Sequence, residues 1–441
     1  MLLLAGVLIY DGWTGPDVGP MNLAGVLPWI HWRGLVILGL LVAGNVFCLA
    51  CPFTVPRTLA RRFFPQHFSW PQWLRNKWLA VFLLILFFWA YEVFTLWDSP
   101  WLTAWLIVAY FVAALVIDSF FRGAAFCKYV CPIGQFNFVQ SLVSPLEVKV
   151  RDPEVCSSCH TKDCIRGNAA ARGCELELFL PGKSSNMDCT LCLDCLHACP
   201  HDNIGFSAGI PAAELWHDPP RSGIGRFGKR TDLAVLVLVL VFAAFANAAG
   251  MVGPVVDWLD RLRQDSGLST AFWPATIYYL VSIVVLPIVG VVGVSWLGRT
   301  WARLPMGWLE MAKRQVYALI PLGFAMWLSH YCFHLLTSYE SVIPVTQRLV
   351  ADLGGNVGTP DWSASCCVPV MDWLLRLEIL FLDIGLLLSL YTAYRISLNL
   401  TPDLSRALRA LAPWAVLLLA LFAMGIWIVL QPMQMRGTLG G

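Results

Sequence analysis

Charge is what this sequence has least of. Of its 441 residues only 13% are charged, and 30 Lys and Arg against 28 Asp and Glu leave a net charge of +2. Nucleic-acid binders carry an excess of basic residues to neutralise phosphates, so nucleic acid is not an expected partner. Residues are 58% hydrophobic and the mean hydropathy is +0.66, which exclude a soluble globular protein and a disordered chain.

Nucleotide-binding and hydrolytic motifs are absent as well. The chain contains no P-loop, no Ser-His-Asp set and no H-E-x-x-H. The first ten residues lack the basic segment and cleavage site of a signal peptide and are too short to cross a bilayer. We interpret them as half of a helix shortened by a truncated or misassigned start. The chemistry is therefore expected to be electron movement by bound cofactors.

Long apolar windows are abundant. A helix needs about 20 mostly apolar residues to cross a bilayer. Seven windows of this length are nearly free of charge and lie at 33–51, 78–97, 102–121, 233–250, 271–296, 315–336 and 412–431. An eighth window, at 377–394, is interrupted by Glu378 and Asp383. The predicted fold class is mostly α, a polytopic transmembrane helical bundle whose long hydrophilic segment holds an inserted domain.

Basic residues in the short loops predict the orientation of the bundle. Three loops, 52–77, 297–314 and 395–411, carry an excess of Lys and Arg and are predicted to be cytoplasmic, whereas the alternate loops carry no such excess. This alternation predicts that residues 122–232 lie in the cytoplasm. The predicted division is therefore into N-terminal membrane helices at 1–121, the cytoplasmic segment at 122–232 and C-terminal membrane helices at 233–441.

A cysteine run in the cytoplasmic segment is the most specific motif in the chain. Cys189, Cys192, Cys195 and Cys199 precede Pro200 as C-x2-C-x2-C-x3-C-P, the run that holds [4Fe-4S] clusters in bacterial ferredoxins. A zinc ribbon would leave the third spacing and the proline unexplained, and a reducing cytoplasm disfavours disulfides. The run predicts a ferredoxin-like (α+β) domain at about 146–210.

A second, less regular set of cysteines lies upstream. Their spacing is C-x2-C-x4-C-x9-C, with no proline after the last cysteine. In two-cluster ferredoxins the fourth cysteine of each run binds the other cluster. The same crossing here predicts two [4Fe-4S] clusters. One is bound by Cys156, Cys159, Cys164 and Cys199, and the other by Cys174, Cys189, Cys192 and Cys195.

Two more cysteine pairs lie at the predicted cytoplasmic membrane edge. Cys48 and Cys51 precede Pro52, and Cys127 and Cys131 precede another proline. Cysteines near helix ends are often only small hydrophobic residues. Two Cys-Pro pairs on one face beside basic residues nevertheless favour a shared site. The four thiols are predicted to bind a metal, to form dithiol/disulfide pairs or to extend the iron–sulfur relay.

In combination these motifs resemble a known family. Polytopic helices, paired Cys-Pro motifs and a two-cluster ferredoxin module, over about residues 33–210, resemble the membrane polyferredoxins that include NapH, the C-terminal half of NosR and the CcoG/RdxA proteins. The resemblance implies electron transfer between the quinone pool or the periplasm and cytoplasmic iron–sulfur centres, in support of periplasmic nitrate, nitrous-oxide or copper-oxidase systems. The chain departs in the x2 spacing of Cys48 and Cys51 and in the extra helices of 233–441.

Four ionisable residues of the C-terminal half are predicted to border a quinone or metal site. His330 and His334 share one helical face near the outward end. Paired imidazoles suit a haem iron, a copper ion or a quinol hydroxyl, or they hydrogen-bond neighbouring helices. Glu378 and Asp383 on the next helix are carboxylates at membrane depth, where a proton path or quinone site is the default interpretation.

Two cysteines are adjacent in the sequence of the C-terminal half. Cys366 and Cys367 in an outward loop are expected to bind a metal with the histidine pair, to form disulfides elsewhere or to stay buried.

The leading hypothesis for the function is a multi-pass protein of the bacterial inner membrane that passes electrons to or from its clusters. Its redox partner is lipid-soluble quinone, a periplasmic oxidoreductase or another redox subunit. The alternative is a copper-handling or cofactor-assembly factor.

Overall fold

Helices dominate the computed structural model, which describes residues 1–63, 68–265, 272–367, 372–436 and 438. The N-terminal helices are α1 (Leu2–Thr14), α2 (Leu23–Ala43), α3 (Val46–Leu49), α4 (Thr54–Phe63), α5 (Trp78–Val93), α6 (Pro100–Phe120) and α7 (Pro132–Gln140). The cysteine-rich segment contains β1 (Leu146–Val150), α8 (Pro153–Ser158), α9 (Asp163–Arg166), α10 (Asp194–Ala198), β2 (Ile204–Ala208) and α11 (Ala213–His217). The C-terminal helices are α12 (Thr231–Ala249), α13 (Gly253–Asp265), α14 (Phe272–Ala302), α15 (Trp308–Thr337), α16 (Val342–Asp352), α17 (Asp372–Leu400) and α18 (Leu404–Val429).

Six of the described helices are long and apolar enough to cross a membrane: α2, α6, α12, α14, α15 and α18. The predicted mostly α, polytopic architecture is therefore confirmed. Tryptophans on α14 support a bilayer-spanning position, because Trp273 near its start and Trp296 near its end are both about half exposed. They are 23 residues apart, which at 1.5 Å per residue is about 34 Å, close to the hydrocarbon thickness that aromatic belts flank.

Three predicted spans differ from the observed helices. The window at 33–51 is displaced, because α2 begins at Leu23 and ends at Ala43, where Gly44 adopts φ +73°. The window at 78–97 forms the 16-residue α5, about 24 Å long and so shorter than a full span. The window at 377–394 lies inside α17, which is 29 residues long but is not among the six.

The core of the bundle is formed by α12 and α15, whose apolar windows are almost entirely buried, whereas α14 and α18 expose most of theirs. Trp327 of α15 is fully buried and donates its indole N–H to the backbone oxygen of Leu240 on α12. The same hydrophobic core continues into the cysteine-rich segment through Leu176 and Leu215. The membrane helices and the cysteine-rich segment therefore pack as one body rather than through a linker.

A two-stranded antiparallel sheet organises the cysteine-rich segment. Strand β1 pairs with β2 so that Leu146 lies opposite Ala208 and Val150 opposite Ile204. This register places the chain that follows β1 directly beside the chain that precedes β2. Asn203 strengthens the junction, because its Nδ2 donates to the backbone oxygen of Asp152 at 2.7 Å.

Buried ion pairs attach the cysteine-rich segment to the membrane helices. The Lys77 ammonium, at the start of α5, donates to Asp188 at 2.7 Å, and both side chains are almost fully buried. The backbone N–H of Lys77 also donates to Asp232 at the start of α12. On α4, Arg57 pairs with Glu175. Basic residues of the predicted cytoplasmic loop therefore meet carboxylates near the cysteines.

Candidate functional site

The first group of cysteines consists of residues that the β1–β2 pairing brings together. Their side chains line one small cavity; they are Cys156, Cys159, Cys164 and Cys199. Asn203 holds two of the sulfurs, because its backbone N–H donates to Cys199 Sγ at 3.4 Å and its Nδ2 donates to Cys156 Sγ at 3.4 Å. The irregular upstream spacing therefore does not prevent convergence with Cys199.

The second group contains Cys174, Cys189, Cys192 and Cys195, which are electrostatic neighbours of one another. Left-handed backbone conformations turn the loop between these cysteines, with φ of 55° at Leu191 and 64° at Leu193. Such conformations are unfavourable for a leucine and are held only where the surrounding structure requires them. They direct closely spaced thiols to one place.

The two groups are adjacent. Cys195 lies within α10, and Cys199 is one helical turn later at its C-terminal end, so the helix contributes one thiol to each group. The backbone N–H of Cys174 donates to the carbonyl of Cys164 at 2.8 Å, a second direct link. The structure thus assembles the eight cysteines into the two groups that a crossed assignment requires.

The thiols of both groups have shifted acidities. Burial raises the pKa of Cys156, Cys164, Cys174 and Cys195, and raises the pKa of Cys192 to about 12. Cys159 is the exception, because the Lys162 backbone N–H and then the Thr161 hydroxyl lower its pKa. A bound cation stabilises a buried thiolate, and so offsets the cost of burial that raises these pKa values.

The donor set fits a cluster better than a single ion. Among the described residues, no three His, Cys, Asp or Glu side chains lie close enough to bind one metal ion. A four-iron cluster places irons and bridging sulfides between its thiolates, so its ligands stand farther apart than those of one ion. Each group supplies four cysteines, the ligand number of such a cluster.

A third group forms where the two Cys-Pro motifs meet. Its members are Cys48, Cys51, Cys127 and Cys131, and together they line a cavity of about 230 Å³. The Cys131 sulfur accepts the N–H of Gly134 at 3.2 Å, and the Cys48 sulfur is 3.7 Å from Asn137 Nδ2. Cys192 of the second group lines the same cavity. Both pairs therefore line one cavity, next to the second group.

Arg57 is the cation of the third group. Its guanidinium lies 3.6 Å from Cys127 Sγ and 3.6 Å from Asp118 Oδ2, and it also pairs with Glu175. Burial nevertheless dominates the thiol acidities, raising the pKa of Cys48 to about 12 and raising that of Cys127 as well. These thiols are therefore not the acidic cysteines that neighbouring basic residues alone would suggest.

The four residues of the predicted quinone or metal site are not brought together. His330 and His334 are buried with ring centroids 4.8 Å apart. Glu378 is an electrostatic neighbour of Cys332, which points away from the histidine face, and Asp383 is exposed on α17. The helix periodicity of α17 places the two carboxylates five residues apart on different faces. Cys366 and Cys367 are bonded to each other.

An apolar cavity of about 360 Å³ is the feature that the sequence interpretation missed. It lies between the N-terminal helices and α15, and at one end it reaches Pro52, Phe53 and Asn137 beside the third cysteine group. At the other end it is lined by Arg33, Tyr91 and Asn247. A single arginine inside a hydrophobic window was the available signal, because an ionisable residue at membrane depth indicates a functional site.

Arg33 sits in an aromatic box. Its guanidinium carbon lies 4.5 Å from the ring centroids of Trp29 and of Tyr91 and 5.3 Å from that of Tyr331. Its Nη1 donates to the Tyr91 hydroxyl at 3.2 Å. Within the described part of the chain no carboxylate is in ion-pair distance of Arg33. Cation–π contacts therefore stabilise it in place of a counter-ion.

Comparisons with known proteins agree with the resemblance inferred from the motifs. No family model matches the chain, and no solved structure matches it. It is 27% identical over 295 residues to the putative electron transport protein YccM of Escherichia coli, covering 57% of this chain and 77% of that protein. It is also 27% identical over 234 residues to the regulatory protein NosR of Pseudomonas aeruginosa, covering 44% of this chain but only 31% of NosR.

An archaeal relative extends the comparison. An uncharacterized protein of Methanocaldococcus jannaschii is 26% identical over 192 residues, covering 42% of this chain and 72% of that protein. The predicted similarity to NosR-type proteins is thus confirmed at low identity and partial coverage. Together with the six apolar helices, it indicates a multi-pass membrane protein of electron transfer.

Proposed function

We propose that this protein carries electrons between the quinone pool, or an outward-facing redox partner, and two [4Fe-4S] clusters on the cytoplasmic side of the bacterial inner membrane. The observation that carries the proposal is the crossed arrangement of eight cysteines in two adjacent groups. Each cluster, when bound, accepts or donates one electron. The similarity to a putative electron transport protein and to NosR supports the same role, in a respiratory system of the nitrate or nitrous-oxide type.

The spatial order of the cysteine groups supports a linear relay. The third group shares its cavity with Cys192 of the second group, and Asn45 near Cys48 donates to the carbonyl of Cys189 at 3.1 Å. The second group is joined to the first through Cys174 and Cys164. A path from the membrane edge therefore passes the third, second and first groups in that order.

The distribution of charge supports the proposed cytoplasmic position of the cysteine groups. Lys77 and Arg57, from a loop rich in basic residues, form buried pairs with carboxylates of the cysteine-rich segment. Basic loops remain on the cytoplasmic side during membrane insertion. The cysteine groups should share that side, and a cysteine introduced at the exposed position Ala170 should react with an impermeant thiol reagent in inverted vesicles but not in intact cells.

The crossed assignment is tested with four single variants of the full-length protein. Cys164→Ser and Cys199→Ser should remove one EPR signal, whereas Cys174→Ser and Cys195→Ser should remove the other. Each should lower the iron content after anaerobic reconstitution from about eight to about four per chain. Cys332→Ser, which changes a buried cysteine of α15, is the matched control.

Two results would contradict this proposal. If Cys195→Ser and Cys199→Ser removed the same signal, the groups would not be crossed. If the parent protein bound only about four irons, one group would serve another purpose.

A second function is favoured by the third group alone. A pair of these thiols beside the Arg57 guanidinium suits a soft ion such as Cu(I), as expected for a copper-handling or cofactor-assembly factor. Stoichiometric Cu(I) binding that is lost in Cys48→Ser/Cys51→Ser, without quinol-dependent reduction of the clusters, would favour this function over the relay.

A further inference from the structure

Two amide oxygens in the apolar cavity lack a hydrogen-bond donor. Asn137 and Asn247 both line the cavity and both are buried, with 0% and 2% of their surface exposed. Among the described residues, nothing donates to Oδ1 of either side chain. An unsatisfied buried acceptor costs about 1–3 kcal/mol, and a ligand hydroxyl would satisfy it.

We propose that the end of this cavity formed by Arg33, Tyr91 and Asn247 binds the head group of a hydroquinone, whose protons leave through Tyr279 to Glu92. The inference rests on the proposed electron-transfer function and gives it a binding site and a proton exit. The site differs from the one that the sequence predicted around the histidine pair.

The polar groups of this end match a hydroquinone ring. The Asn247 Oδ1 can accept a hydrogen bond from a ring hydroxyl, and the Arg33 guanidinium can donate to a ring oxygen. Trp29 and Tyr91 supply flat apolar surfaces beside Arg33, with ring centroids 5.2 Å apart. The rest of the cavity is apolar and suits an alkyl tail.

Tyr279 and Glu92 continue from Asn247 toward the opposite end of the bundle. The Asn247 side chain is a hydrogen-bonding neighbour of the Tyr279 hydroxyl, which donates to Glu92 Oε2 at 3.4 Å. Arg436 holds the Glu92 carboxylate with two bonds of 2.7 Å. Tyr278 is the other titratable group that faces Glu92. Helix α5 carries Glu92 near one end and begins beside Lys77, so this exit lies about 22 Å from the Lys77 end.

The oxidation balances with groups of this protein. One hydroquinone loses two electrons and two protons and becomes a quinone. The proposed clusters accept one electron each, reached at the other end of the cavity where Asn137 contacts Cys48. The hydroxyl that Asn247 holds gives its proton to Tyr279 as Tyr279 gives its own proton to Glu92. The ring then turns to present its second hydroxyl to Asn247, and Glu92 releases the first proton before it accepts the second. Asn247 is a positioning residue, because an amide holds the hydroxyl but does not carry its proton.

The test uses the full-length, cluster-loaded protein in liposomes with decylubiquinol as donor. Tyr279→Phe removes only one hydroxyl. Glu92→Gln/Arg436→Gln removes both charges of the pair together, so that no charge stays unpaired. Both should lower the rate of decylubiquinol-dependent cluster bleaching about hundredfold while dithionite bleaches the clusters fully. Asn247→Leu should raise the decylubiquinol KM about tenfold, the loss of one hydrogen bond.

Two independent readouts accompany the rates. Binding of decylubiquinol to the dithionite-reduced protein, measured by anaerobic equilibrium dialysis, should weaken in Asn247→Leu but not in Tyr279→Phe, because only the reduced ring has a hydroxyl that can donate to Asn247. A pH dye confined to one side of the liposome membrane should report two protons per quinol on the side opposite the clusters. Glu340→Gln, whose carboxylate accepts from the exposed Tyr339, is the control and should match the parent protein.

The outcomes separate the two proposals. If the parent clusters respond to dithionite but not to decylubiquinol, the proposed quinone function is wrong. If the parent responds and Tyr279→Phe, the double variant and Asn247→Leu all behave like it, the function stands and this site is wrong. If only His330→Ala lowers the quinol-dependent rate, the site belongs to the histidine pair.

Discussion

Two buried ion pairs at the cysteine-rich segment and the buried histidines of the membrane interior show two opposite ways of burying a polar group. In the cysteine-rich segment, Arg221 meets Glu214 at 2.9 Å and Lys77 meets Asp188 at 2.7 Å, with all four side chains nearly inaccessible. In the membrane interior, both ring nitrogens of His330 have no partner among the described residues. The Nε2 atom of His334 has none there either.

This difference has a physical consequence. A buried ion pair is expensive to break, because the remaining charge is left without solvent. A buried polar atom without a partner already lowers the stability of the fold. A ligand that hydrogen-bonds to this atom, or replacement of the atom by an apolar group, removes that cost. The charges of the two ion pairs are thus neutralised within the protein, and the thiols beside them remain to bind cofactors. The membrane interior keeps acceptors and a cation available for a ligand.

The largest effect is expected at the junction of the two regions. In Cys127→Ser/Cys131→Ser, cluster reduction by a membrane donor should be abolished, while reduction by dithionite and the iron–sulfur EPR signals persist, because the third group lies between the membrane cavity and the second group. Stopped-flow bleaching with each reductant is the measurement. Unchanged donor-dependent rates, as expected for Cys332→Ser, would make the third group structural.

The next largest effect should be the loss of a buried pair in the cysteine-rich segment. Lys77→Met leaves Asp188 buried and unpaired and should cost about 3–5 kcal/mol in the free energy of unfolding. The matched control is Lys149→Met, because Lys149 pairs with Glu147 at 3.0 Å but is half exposed. That variant should cost at most about 1 kcal/mol. Equal costs in thermal unfolding in detergent would remove the distinction between the two pairs.

A smaller effect is expected from the hydrogen bonds to the first group. Asn203→Leu removes the Nδ2 bond to Cys156 Sγ. An N–H donor stabilises the more negative reduced cluster, so its loss should lower the reduction potential by about 60 mV, which corresponds to about 1.4 kcal/mol. Potentiometric EPR measures this shift, and the second cluster of the same sample is the internal control. A shift of both potentials would indicate a general change in structure.

The smallest effect is expected at the histidine pair. His330→Leu replaces a buried imidazole that has no partner by an apolar side chain, so the free energy of unfolding should change by less than about 1 kcal/mol or increase. Thermal unfolding in detergent measures it. A loss above about 2 kcal/mol would mean that a ligand or bound water satisfies the imidazole, and the contrast between the two regions would then disappear.

Sequence spacing was sufficient where the interacting residues are close in the chain. The run from Cys189 to Cys199 predicts thiols that meet in one loop, because a few intervening residues limit how far they can separate. Long apolar windows likewise predicted most of the membrane helices. The 33–51 window was placed incorrectly, since hydropathy does not register the turn at Gly44, where the helix has already ended.

Sequence by itself thus determined the membrane character, the ferredoxin-type run and the resemblance to NosR-type proteins, because these depend on composition and on local spacing. The tertiary structure alone decided which distant groups meet. Arg33, Glu92, Asn247 and Tyr279 come from four helices, and no spacing rule connects them. Their proximity depends on how side chains pack between helices. The same packing separates Glu378 and Asp383 from the histidines that the order of helices had placed beside them.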